Sequence, residues 1–104
     1  MNITANEAHK KLQLHSQEFL TLFKYGTLSV EIYQPDKVDK QQPHEQDEIY
    51  VVISGSGTFY NDGKRVPFAP SDLLFVKAGK EHWFEDFTKD FSTWVIFYGP
   101  KGGE

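Results

Sequence analysis

Turn signals punctuate this chain at short intervals, and nothing of helix length separates them after residue 18. They fall at Tyr25-Gly26-Thr27, Pro35, Gly55-Ser56-Gly57, Asn61-Asp62-Gly63, Pro70-Ser71-Asp72, Ala78-Gly79-Lys80 and Thr88-Lys89-Asp90. The runs between them are too short for packed helices and are rich in β-branched and aromatic residues. Short strands with regularly spaced turns predict an all-β sandwich or barrel. The absence of intervening helical patterns excludes an alternating βαβ architecture. With 104 residues there is room for one domain and one core, and the 15% aromatic content predicts that Phe and Tyr dominate it.

The order of elements follows from local chemistry. Thr4-Ala5-Asn6-Glu7 has the form of a capping box and predicts a short helix from about Ala5 to Leu12. Such a helix has to pack on the main body, because it is too short to hold its shape alone. Leu28, Val30 and Ile32 alternate with Ser29, Glu31 and Tyr33 after the Gly26 turn, which predicts a β-hairpin closed by Pro35. Asp36 to Gln42 is polar and is expected as an exposed loop. Further strands are expected at Glu48 to Ser54, from Thr58 to Tyr60, at Lys64 to Phe68, Leu73 to Val76, His82 to Phe87 and Phe91 to Tyr98. In domain terms, residues 1–17 form a helix and lead-in, 18–99 the barrel and 100–104 a tail.

Composition removes several classes of function. The formal net charge is −4 and the basic cluster Lys10-Lys11 is too short to suit nucleic acid. There is no Cys, so disulfides, thiolate metal sites and a Cys nucleophile are excluded. No apolar run approaches the roughly 20 residues of a membrane span. Met1-Asn2-Ile3-Thr4 shows no signal-peptide pattern, and the cytoplasm is the expected location. There is no Gly-rich phosphate loop and no Ser nucleophile elbow.

One stretch carries chemistry. Gln42, His44 and Glu48 stand at even separations ahead of the apolar run Ile49 to Ile53, so a regular strand would send all three to one face. Tyr50 and Val52 continue that face. Both faces of the later part are apolar, which makes the strand central. An imidazole and a carboxylate pointing into a partly dry space have to be paired or bound to metal. Gln46 shares the parity, but a bulge near His44 would turn it outward. Asp47 is expected to be solvated or paired with a lysine, Asp86 to be a strand-end charge, and His9 and His15 to lie on the surface.

At this point the chain resembles the cupin superfamily, and within it a small single-domain type-2 cupin. His44, three residues, Glu48, six residues and Gly55 follow the first cupin motif, with Gln42 where its first His usually stands. Ser71-Asp72, Lys77-Ala78-Gly79, His82 and Asp86 follow the second, with Ser71, Lys77 and Asp86 in place of its usual Gly, Pro and Asn. The resemblance implies a jelly-roll β-barrel with metal ligands at His44, Glu48 and His82, and Gln42 at the fourth position. It implies a divalent transition metal. Two His and one carboxylate suit Fe(II), and the same donors accept Mn, Ni, Co or Zn. Tyr50, Phe84 and Trp94 are candidates for the pocket lining, and Glu48 for a base as well as a ligand. The implied function is a metal-dependent enzyme acting on a small organic molecule, in the manner of a dioxygenase or isomerase. The alternatives are a small-molecule binding or sensing module and a catalytically inactive barrel. A homodimer paired through strands is also implied.

Overall fold

A computed structural model describes all 104 residues. One helix, α1 (Ala5–His15), precedes eight strands: β1 (Phe19–Tyr25), β2 (Leu28–Tyr33), β3 (Asp47–Ser54), β4 (Gly57–Asn61), β5 (Lys64–Phe68), β6 (Leu73–Val76), β7 (His82–Glu85) and β8 (Ser92–Tyr98). They form two antiparallel sheets, a five-stranded one in the order β1-β2-β8-β3-β6 and a three-stranded one in the order β5-β4-β7. The expected all-β jelly-roll is therefore present. The strand at His82 is shorter than expected, ending at Glu85, because Asp86 takes a left-handed conformation (φ 52°) that breaks the ladder. The helix runs one turn past Leu12, to the left-handed cap at Ser16. Thr4 accepts the Glu7 backbone N–H at 3.1 Å, as a capping residue should.

The period-two pattern sorts the five-stranded sheet into two faces. The inner face carries Tyr33, Tyr50, Val52, Val76 and Val95, which meet Phe59, Phe68, Phe84 and Phe91 from the opposite side in one aromatic-rich core. The rings pack edge-on or tilted, as aromatic quadrupoles favour: Tyr50 meets Phe84 at 4.9 Å and 82°. The outer face carries Ile32, Leu20, Leu22, Ile53 and Trp94, covered by Ala8 and Leu12 of α1. This cap is incomplete, since Leu73 and Phe75 on the same face of β6 remain 63% and 43% exposed.

Two fixtures hold β3 in register. Gly55, just past its end, has φ +83°, and a Cβ there would lie 2.5 Å from the Phe91 Cα, so only glycine fits. At the other end Asp47 is buried rather than solvated or lysine-paired. Its carboxylate accepts the backbone N–H groups of Ala78 at 2.9 Å and Glu104 at 3.0 Å. Residues 100–104 therefore do not trail away. Gly102 N–H also donates to the Glu45 carbonyl, at 2.7 Å.

Candidate metal centre

Three residues of opposite charge capacity meet at the mouth of the inner face. Glu48 is the second residue of β3 and is 1% exposed. It points inward because it shares parity with Tyr50 and Val52, both of which are in the core. His82 opens β7 on the opposite sheet and is also 1% exposed. His44 arrives from the irregular connection between β2 and β3 and is only half-buried. His82 Nε2 lies 2.8 Å from Glu48 Oε1, and His44 Nε2 lies 3.9 Å from the same oxygen. One ligand atom from each of the three falls within 4.8 Å of the others.

The chemistry of these atoms is more telling than their proximity. The His82 Nδ1 is 2.9 Å from the Lys80 carbonyl, which can only accept, so Nδ1 carries a proton and donates it. In the neutral ring this leaves a bare lone pair on Nε2, facing a carboxylate. Apart from the 2.8 Å approach of His82 Nε2 to Glu48 Oε1, neither Glu48 oxygen nor His82 Nε2 meets a partner in hydrogen-bonding geometry, although all three atoms are buried. Buried polar atoms left this way cost on the order of 1–3 kcal/mol each, and more when charged. Their lone pairs converge, which is the arrangement a cation satisfies. Burial pulls the His82 pKa down, but the adjacent Glu48 carboxylate and the Lys80 carbonyl outweigh it, so the net shift is upward. At His44 burial dominates, and its pKa is lowered despite Glu48. A neutral His44 imidazole is the form that binds metal.

The fourth expected residue is not where even spacing placed it. Gln42 is exposed. Its neighbour Gln41 takes the inward place, with Oε1 at 3.2 Å from His44 Nε2 and accepting the Tyr50 hydroxyl at 2.6 Å. The reason is that β3 begins only at Asp47, so strand parity does not extend back to Gln42. Position along the loop is set instead by Asp39. Its carboxylate accepts the Tyr33 hydroxyl at 2.6 Å, the Gln41 side-chain amide at 2.6 Å, the Gln41 backbone N–H at 3.1 Å and the Phe84 backbone N–H at 2.8 Å. The segment expected as an exposed polar loop thus has an anchored carboxylate in it. A hydrogen-bonding role for Asp39 leaves no signature in a polar run of this kind.

The aromatic candidates divide. Tyr50 is fully buried beside the centre, its ring 6.1 Å from that of His82, and burial drives its phenol pKa well up. Phe84 is 2% exposed and belongs to the core beneath. Trp94 packs against the helix side of the sheet and does not line the pocket. Its neighbours Val95 and Phe97 face inward instead, and Phe97 meets the His44 ring edge-on at 4.9 Å. β8 is apolar at almost every position, so its parity was not readable. His9, expected on the surface, is partly covered and lies 2.8 Å from the Ser92 hydroxyl. Gln46 is held outward by its amide, which donates to the Thr27 and Gly99 carbonyls at 2.9 Å each.

A cavity of about 380 Å³ opens beside His44, between the connection and strands β1, β2 and β8. Val95, Phe97 and Tyr33 form its apolar wall, and Glu18, Glu31 and Lys40 supply charge. Glu31 points inward from β2. Burial, and less so the charge of Glu48, raises its pKa, against a hydrogen bond from Thr21.

A family model for the cupin domain matches residues 29–96. An uncharacterised protein of Streptomyces coelicolor is 31% identical over 85 residues, covering 80% of this chain and 81% of its own length. The acireductone dioxygenase of Parvibaculum lavamentivorans is 36% identical over 67 residues, or 60% of this chain, and the match spans only 36% of that enzyme. Among solved structures, a cupin superfamily protein of Desulfitobacterium hafniense superposes with a TM-score of 0.66 at 18% identity, over 79% of this chain and 76% of that one. At that identity the likeness concerns the fold. No helix of the chain is long and apolar enough to cross a membrane.

Proposed function

The chain belongs to the cupin family, and we propose that it is a metal-dependent enzyme acting on a small organic molecule. His44, Glu48 and His82 would hold a divalent transition metal. The observation that carries this reading is the convergence of three buried atoms, both oxygens of Glu48 and Nε2 of His82, that meet no partner beyond one another, beside the His44 ring. Two imidazoles and one carboxylate fit Fe(II) best, with Mn, Ni, Co and Zn as chemically acceptable alternatives. When bound, such an ion supplies Lewis acidity toward a substrate oxygen, and as iron it also supplies access to dioxygen.

The chain's own residues prepare the rest. The cavity beside His44 gives a small molecule a route to the centre, and Val95 and Phe97 keep its inner wall dry. Glu31, inside that wall, is placed to hold or exchange a proton with a bound molecule, and its raised pKa brings it closer to neutral pH. Glu48, pinned between two imidazoles, acts as a ligand first, and proton transfer from it requires its release from His82. The similarity to a dioxygenase supports oxygen chemistry as the first class to assay, with isomerisation next. The short match leaves that enzyme's substrate outside the proposal.

Elemental analysis of the purified protein, with melting measured before and after chelation, tests the reading. Near one equivalent of a transition metal is expected, together with a lower melting temperature after chelation. Glu48→Gln should abolish both. Protein that holds no metal and gains no stability from Fe(II), Mn(II), Ni(II), Co(II) or Zn(II) would sink the proposal. Metal binding without turnover of any small molecule would instead point to a sensing module.

A further inference from the structure

Resting on that metal reading, we propose that Gln41 is a fourth protein ligand, bound through its side-chain oxygen and oriented by Asp39. The amide can face the centre with either its oxygen or its nitrogen, and the surrounding network decides which. Asp39 Oδ2 lies 2.6 Å from Gln41 Nε2, and an ionised carboxylate only accepts, so the nitrogen is turned to Asp39. The oxygen is thereby turned to the centre, where it lies 3.2 Å from His44 Nε2. The Tyr50 hydroxyl donates to that oxygen at 2.6 Å, using one of its two lone pairs; the second, which His44 Nε2 approaches at 3.2 Å, is the one an ion would take up.

Spacing supports a shared ion. Two donors at right angles, each about 2.1 Å from one ion, stand about 3.0 Å apart. The 2.8 Å between His82 Nε2 and Glu48 Oε1 and the 3.2 Å between His44 Nε2 and Gln41 Oε1 bracket that separation. Each imidazole therefore has one oxygen donor at the distance adjacent ligands keep. Gln42, one residue on, is exposed and outside this set. A neutral oxygen in place of a third imidazole leaves the set with a single negative charge and a weaker, harder donor. That composition should suit ions with an affinity for oxygen over those that select nitrogen.

Titration of the chelator-stripped protein with Co(II), read by its visible absorption, separates the possibilities. Gln41→Ala should weaken Co(II) binding about tenfold or more, since even indirect partners of metal ligands act on that scale. Gln41→His, whose Nε2 reaches about as far as the amide, should restore or exceed the parent affinity and shift the absorption as nitrogen replaces oxygen. Gln42→Ala and Gln42→His should leave both unchanged. Melting of each stripped variant shows whether the fold survives. If Gln41→Ala binds Co(II) like the parent, or if the Gln42 variants are the ones that respond, Gln41 is not a ligand. If the parent itself binds no Co(II) or other divalent transition metal, the metal reading falls before the question of Gln41 arises.

Discussion

Glu48 and His82 reach the centre on strands, whereas His44 and Gln41 reach it on an irregular connection, and the two pairs are held by different physics. A strand places side chains by register. Glu48 pairs with Val76 on one side and Phe97 on the other, so it can leave the inner face only if two ladders slip. The connection between Tyr33 and Asp47 has no ladder. It is located by the Asp39 carboxylate, by the Gly79 N–H on the His44 carbonyl at 2.8 Å, and by hydrogen bonds at Glu45 and Gln46. Half of the centre is therefore as rigid as the core, and half is only as rigid as a few hydrogen bonds.

This contrast predicts a ranking of effects. Phe84→Ala strikes the frame, where Phe84 packs against Tyr50, Phe59, Phe68 and Phe91. It should cost about 3–5 kcal/mol of global stability, measured by denaturant unfolding. Asp39→Ala strikes the connection. The Gln41 groups freed there can turn to water while the Phe84 N–H and the Tyr33 hydroxyl stay covered, so the loss should be about 2–3 kcal/mol, at the scale of a hydrogen bond to a charged group. Hydrogen exchange should rise at the Phe84 amide while the amides of β3 stay protected. If Asp39→Ala cost as much as Phe84→Ala, or unprotected β3 as well, the connection would belong to the frame and the contrast would be wrong.

Asp47 gives the smallest and most condition-dependent effect, at the junction of the two regions. The backbone N–H groups of Glu104 and Ala78 hold its carboxyl below the ordinary 3.8. A lowered folded-state value means that this carboxylate adds stability above the unfolded value and loses it as pH falls through the folded one. Asp47→Asn should therefore lower the melting temperature at neutral pH, with the gap to the parent closing as pH drops below about 4. A gap that stays constant down to pH 2 would mean that Asp47 acts by shape alone.

The same division explains what the sequence discloses. The hairpins, the capped helix and the inward face of Glu48 are legible because alternation and turn chemistry operate inside elements, whereas His82 is reached only through the resemblance to the cupin motifs. Even spacing sends Gln42 inward only if strand parity extends five residues back from Asp47, where β3 begins; the loop instead sets Gln41 beside His44. Trp94 was assigned inward because β8 presents apolar residues on both faces, one toward the core and one toward α1, so alternation carries no sign there. The sequence leaves Asp39 in an exposed loop and Asp47 solvated or lysine-paired, because an acceptor of backbone N–H groups looks, in sequence, like any polar residue. Their role depends on strands distant in the chain.

The unladdered connection also bears on how such a centre changes over evolutionary time. Inserting or deleting a residue within a strand moves every later side chain to the opposite face, and the core would not survive it. The same event between Tyr33 and Asp47 costs little, because closing a slightly longer or shorter loop is entropically cheap. It would nevertheless present a different side chain beside His44. A lineage with this architecture can thus exchange the side chain beside His44 by a single codon gained or lost, while Glu48 and His82 keep their places.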